Sequence, residues 1–105
     1  MPEEQQVRRQ SQFQLDDTHT VATYANLCRV TGTPEEVFLD FGINSQPAGA
    51  PTGLIPMGQR IVLNFYTVKR LYHALGMTIQ RHEKAFGILE IDVNKRIVQQ
   101  ESQGN

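Results

Sequence analysis

Three histidines and one cysteine are the side chains of this sequence best suited to hold a metal, and their placement argues against a shared site. His73 and His82 are nine residues apart, so at about 100° per helical residue they point about 180° away from each other. His19 lies in a polar stretch, and Cys28 has no second cysteine to complete a zinc spacing or a disulfide. The sequence therefore predicts no metal and no cofactor. His82 falls among apolar helix positions, where it reads as a packed histidine bonded to the backbone or to an acidic neighbour. A symmetric interface would instead pair it with its own copy.

Acid and base candidates are the paired carboxylates Asp16-Asp17 and Glu35-Glu36. The first pair sits in a polar segment. The second belongs to Thr33-Pro34-Glu35-Glu36, a capping sequence with proline at the first helical position, which predicts a single helical turn closing a hairpin. Neither pair sits in the enclosed pocket that general acid–base work needs. No serine has the flanking glycines of a nucleophile elbow, and no glycine-rich phosphate loop leads into a helix. Catalytic residues are not expected, and the chain reads as non-enzymatic.

The remaining chemistry is electrostatic. On a helix, Lys69, Arg70, His73, Arg81 and Lys84 share one face, with Glu83 near its edge. Such a face suits an anionic polymer; it also suits the solvated side of an amphipathic helix. With 10 Lys+Arg against 11 Asp+Glu, the net charge of -1 supplies no global attraction to nucleic acid or membrane, so only this local patch could act. Without interleaved aromatics, sequence-specific base reading is not expected.

The elements that must position these residues amount to one domain, since 105 residues leave no room for a second core. Residues 1–19 and 99–105 are polar and without apolar period, and are expected to be a disordered arm and tail around a domain at 20–98. Thr20 to Val30 is β-branched and aromatic and reads as a first strand. Val37, Leu39 and Phe41 alternate with Phe38 and Asp40 in a second, which carries apolar bulk on both faces. Residues 43–58, rich in proline and glycine, read as a long loop in which Leu54-Ile55-Pro56-Met57 offers an apolar latch. Gln59 to Leu63 reads as a third strand.

A helix then runs to Phe86, opened by Asn64 as N-cap and closed by Gly87. Its length exceeds that of the strands, so its last two turns should overhang the sheet. Val68, Tyr72, Leu75, Ile79, His82 and Phe86 keep the alternating four- and three-residue spacing of a helix-packing seam. Tyr72, Leu75, Ile79, His82 and Phe86 are the candidates for self-association. Residues 88–98 alternate in polarity and are candidates for a fourth strand or a short hairpin. The fold class expected is α+β: a small antiparallel sheet of three strands, or four, against one long C-terminal amphipathic helix.

Several of these landmarks resemble the bacterial family known as domain of unknown function 3467. They are Tyr24-Ala25-Asn26, Thr33 to Gly42, Lys69-Arg70-Leu71, Ala74-Leu75, Ile79, Glu83 and Phe86-Gly87-Ile88, spanning residues 24–88. Asn64-Phe65 departs from the Ser-Pro that the family tends to place at the helix start, yet both pairs supply an N-cap and a first helical residue. The resemblance implies a compact strand-strand-strand-helix domain and no particular activity. The polar landmarks Tyr24, Asn26 and Asp40 suit either a recognition surface or structural hydrogen bonding.

A reducing cytoplasm is the expected compartment, given the single cysteine and an opening stretch without a secretory pattern. No apolar run approaches the roughly 20 residues of a membrane span. Three functional expectations remain. The first is a self-associating binding or adaptor module, a homodimer or other homo-oligomer or the companion of an unidentified protein. The second is a nucleic-acid or anionic-polymer accessory protein using the basic helix face. The third is a small enzyme with the 43–58 loop as its lid.

Overall fold

A computed structural model describes residues 12–46 and 51–98. Residues 1–11 and 99–105, most of the expected arm and all of the expected tail, lie outside the described residues. Strand β1 (Leu27–Gly32) pairs with β2 (Glu36–Gly42), and β2 pairs with β3 (Met57–Asn64), giving an antiparallel sheet in the order β1-β2-β3. Helix α1 (Phe65–Phe86) follows β3 without a linker, and a single turn, α2 (Val93–Arg96), comes after it. The α+β class is the one the sequence predicts.

The first strand is displaced from its expected position at 20–30. Pairing runs from Leu27 opposite Gly42 to Gly32 opposite Val37, which uses up β2 and leaves residues 20–26 no strand to pair with. Asn26 marks the exit. Its side-chain amide donates to the Asn44 carbonyl (3.0 Å), and its Oδ1 accepts from the Asn44 N–H (2.6 Å), tying the two ends together. At the other end of the hairpin, the Thr33 hydroxyl oxygen accepts from the N–H groups of Glu35 (3.2 Å) and Glu36 (3.0 Å). The capping chemistry is present, but it closes a turn and not the expected helical turn. Glu36 already belongs to β2, so no residues are left to propagate a helix.

Directly opposed residues of antiparallel strands share a face. One face carries Val37, Leu39 and Phe41 with Val30, Ile61 and Leu63; the other carries Phe38 and Asp40 with Arg29, Thr31, Arg60 and Val62. A bulge between Phe41 and Gly42 brings Met57 opposite Gly42. A Cβ on Gly42 would sit 2.8 Å from the Met57 sulfur and 3.0 Å from the Pro56 carbonyl oxygen, so this close approach requires glycine. The 43–58 loop accordingly ends at Pro56. Gln46 bridges its described ends, donating to the Thr52 carbonyl (2.7 Å) and accepting from the Thr52 N–H (3.0 Å). Leu54 is fully exposed, so the four-residue apolar latch does not form.

Helix α1 has the caps that the sequence predicts. Asn64 Oδ1 accepts from the Thr67 N–H (2.8 Å), and Gly87, at φ 97°, donates its N–H to the Glu83 carbonyl (2.9 Å). Asn64→Ala is expected to lower stability by about 1 kcal/mol, and Asn64→Ser to restore most of it, as read by thermal melting.

What the helix covers is less than expected. The Phe65 ring reaches the Val37 face, lying 3.7 Å from where a Cβ on Gly32 would stand. Val37, 4% exposed, is the one buried apolar residue among those described. Thr67, Val68 and Leu71 are half-buried, and beyond Leu71 the apolar arc of α1 is exposed, with Tyr72 at 72% and Phe86 at 79%. The overhang therefore begins after about two turns. With no linker between Asn64 and Phe65, the end of β3 sets the direction of the helix.

Residues 88–98 form no strand. Asp92 accepts from the Asn94 N–H (3.0 Å) and caps α2, while Glu83 accepts from the Leu89 N–H (2.9 Å). Local capping prevails because no strand edge lies alongside to pair with this segment.

Candidate interaction surface

The Val37 face carries an open apolar groove at the end of the sheet away from the start of α1. Two adjoining clefts, of about 310 and 350 Å³, share Thr23, Ala25, Phe41 and Gln59. Val21 and Ile61 extend the groove in one direction, and Tyr24, Ile43 and Pro56 in the other. The unpaired segment before β1 is thus one wall, and β2 with β3 forms the floor. Tyr24 is the one ionisable side chain of this lining. The groove's chemistry is that of a receptor for apolar side chains.

The opposite face carries the charges. Asp40, 2% exposed, is clasped from both sides. Arg29, on β1, donates to Oδ2 from Nε (3.2 Å) and Nη2 (2.8 Å); Arg60, on β3, donates to Oδ1 from Nε (2.7 Å) and to Oδ2 from Nη2 (3.1 Å). The hydrogen bonds from Arg60, then those from Arg29, hold the Asp40 carboxyl at about 2, below its ordinary 3.8, and Asp40 in turn raises the Arg60 guanidinium above its usual value. Arg60 also lies over the Phe38 ring, 5.0 Å from its centroid. One carboxylate thereby fastens three strands. The pairing of Asp40 with both Arg29 and Arg60 depends on strand register, which no local pattern gives; the signal in the sequence was a lone acid inside an otherwise apolar strand.

The family described as Protein of unknown function (DUF3467) matches residues 1–91. The chain belongs to that family. No curated protein and no solved structure matches it. In this DUF3467 member, no helix among the described residues is long and apolar enough to cross a membrane.

The five basic-face candidates and the five self-association candidates all lie on α1. Lys69, Arg70, His73, Arg81 and Lys84 are exposed along one side. Tyr72, Leu75, Ile79, His82 and Phe86 are exposed along another. His82 is not the packed histidine expected. It has no backbone or acidic partner among the described residues, and its ring tilts against Phe86 at 4.8 Å between centroids, because the sheet does not reach that part of the helix. Tyr24, Asn26 and Asp40 are not brought together: Tyr24 borders the groove, Asn26 ties two loops, and Asp40 lies on the opposite face. The groove itself was missed. Its floor is assembled from β2 and β3, whereas its wall comes from residues expected to lie within β1.

Proposed function

We propose that this DUF3467 chain is a non-enzymatic, self-associating binding or adaptor module of the cytoplasm. The observation that carries the reading is the near absence of a core among the described residues. Ordering a residue costs ~1–2 kcal/mol of backbone entropy, whereas fully burying a valine or leucine returns only ~1.5–3 kcal/mol. One buried apolar side chain, Val37, with its half-buried neighbours, does not offset the ordering of a 22-residue helix and three strands. In proteins most helical stability comes from packing an amphipathic face and not from intrinsic propensity, so the apolar arc of α1 needs another protein surface. The groove lining, with Tyr24 as its one ionisable group, suits docking of apolar side chains better than acid–base chemistry. Sedimentation at micromolar concentration tests the reading. The expected mass is a dimer's or larger, and a well-folded monomer would defeat it.

A second reading, binding of nucleic acid or another anionic polymer, draws on the exposure of Lys69, Arg70, His73, Arg81 and Lys84. The carboxylate at the edge of that face, Glu83, accepts from the Leu89 N–H and forms no ion pair with the basic residues. On this reading, affinity for a DNA oligonucleotide falls as salt rises, and Lys69→Glu/Arg81→Glu lowers the slope of log affinity against log salt by about 2. Binding indifferent to both salt and charge reversal would rule it out.

A further inference from the structure

Resting on the self-association reading, we infer that two copies exchange helices: the distal part of α1 from each, Tyr72 to Phe86, lies in the apolar groove on the sheet of the other. Within one chain the two surfaces are both uncovered, and they do not meet. The α1 backbone approaches β2 and β3 and not β1, and it leaves the sheet from the end opposite the groove. Val30 and Ile61 therefore remain 63% and 41% exposed on the face whose other end Phe65 covers.

The dimensions agree. From Tyr72 to Phe86 the helix runs about 21 Å at 1.5 Å per residue, and the stretch of floor that lines the groove, Pro56 to Ile61, runs about 17 Å at 3.3 Å per residue. The area agrees too. At ~150–250 Å² per aromatic side chain, the exposed parts of Tyr72 and Phe86 offer roughly 200–400 Å². Leu75, Ile79, Val30 and Ile61 add to this on both sides of a reciprocal contact, which reaches the order of 800 Å² per partner found in stable dimers. A twofold exchange satisfies both surfaces at once and forms a closed dimer. It also keeps the basic side of α1 in solvent, so no guanidinium or ammonium is buried without a partner.

Cross-linking between single-cysteine chains tests the arrangement. In a Cys28→Ser background, Gln59→Cys places one thiol on the groove floor, and Ile79→Cys or His82→Cys places one on the helix; Gln59 and His82 are exposed, so neither change removes a packed side chain. Each chain then carries one cysteine, and every link made by a short bis-maleimide joins two molecules. Mixing a tagged sheet variant with an untagged helix variant is expected to give mixed links at least ten-fold above helix-to-helix links. Predominant helix-to-helix links would overturn the exchange in favour of seam pairing. Background links throughout, with a dimer still present by sedimentation, would overturn it in favour of another contact or a foreign occupant of the groove. A monomer by sedimentation would overturn this inference together with the reading beneath it.

Discussion

Replacing Ile79 with aspartate is expected to dissociate the assembly. Ile79 sits in the exposed apolar arc of α1, and in a symmetric dimer each substitution acts twice. Ile79 is 47% exposed in the single chain, so association buries about half of what gives ~1.5–3 kcal/mol for a whole side chain; losing two such contributions costs about 1.5–3 kcal/mol, a weakening of roughly 10–10² in the dissociation constant. The two buried carboxylates add to that loss. Sedimentation over a concentration series reads the effect directly. Helix content by circular dichroism should also fall on dilution, earlier for Ile79→Asp than for the parent, because association supplies the burial that folding needs. Gln80→Asp, one residue away on the outward side, is the control and should leave the mass unchanged. An unaltered mass for Ile79→Asp at low micromolar concentration would refute the assignment of this arc to self-association.

The second large effect is expected at Asp40. Asp40→Asn removes the charge that Arg29 and Arg60 share, and leaves two guanidiniums side by side on one sheet face. Thermal stability should fall clearly, and by more than in either single Arg→Lys variant, since each of those leaves one full clasp in place. Acidity gives a signature that packing loss would not. The folded-state carboxyl titrates at about 2 against an ordinary 3.8, so its contribution is complete above 3.8, declines as pH falls between those values, and is gone below about 2. Melting curves of the parent and Asp40→Asn should therefore differ most above pH 4 and converge toward pH 2. A difference that stays constant across that range would show that the carboxylate's charge is not what joins the strands.

Much of the scaffold was legible because it is local. Asn64 and Gly87 bound α1 through hydrogen bonds that span only a few residues, and helix propagation fills the interval between them. The alternation of Val37, Leu39 and Phe41 with Phe38 and Asp40 records the two-residue period of a strand whichever neighbours it acquires. Where local signals conflicted, tertiary context decided. Thr33 has the sequence context of a helix cap and serves as a turn cap, because the strand it feeds begins three residues later. Residues 88–98 alternate like a strand, yet with no edge alongside, Asp92 caps a single helical turn.

The amino-acid order alone determined that this DUF3467 chain makes a two-faced strand ribbon and one long amphipathic helix, with the basic and apolar sides of that helix already separated. The tertiary structure decided where those sides point. A direct join between Asn64 and Phe65 carries α1 off the sheet, leaving its apolar arc and the Val37-face groove both open. Strand register brought Arg29 and Arg60 onto Asp40. The groove, built from residues 21–25 against β2 and β3, and the Asp40 clasp both depend on residues distant in the chain meeting in space, and the free energy that selects such meetings has no counterpart in the pattern of neighbours.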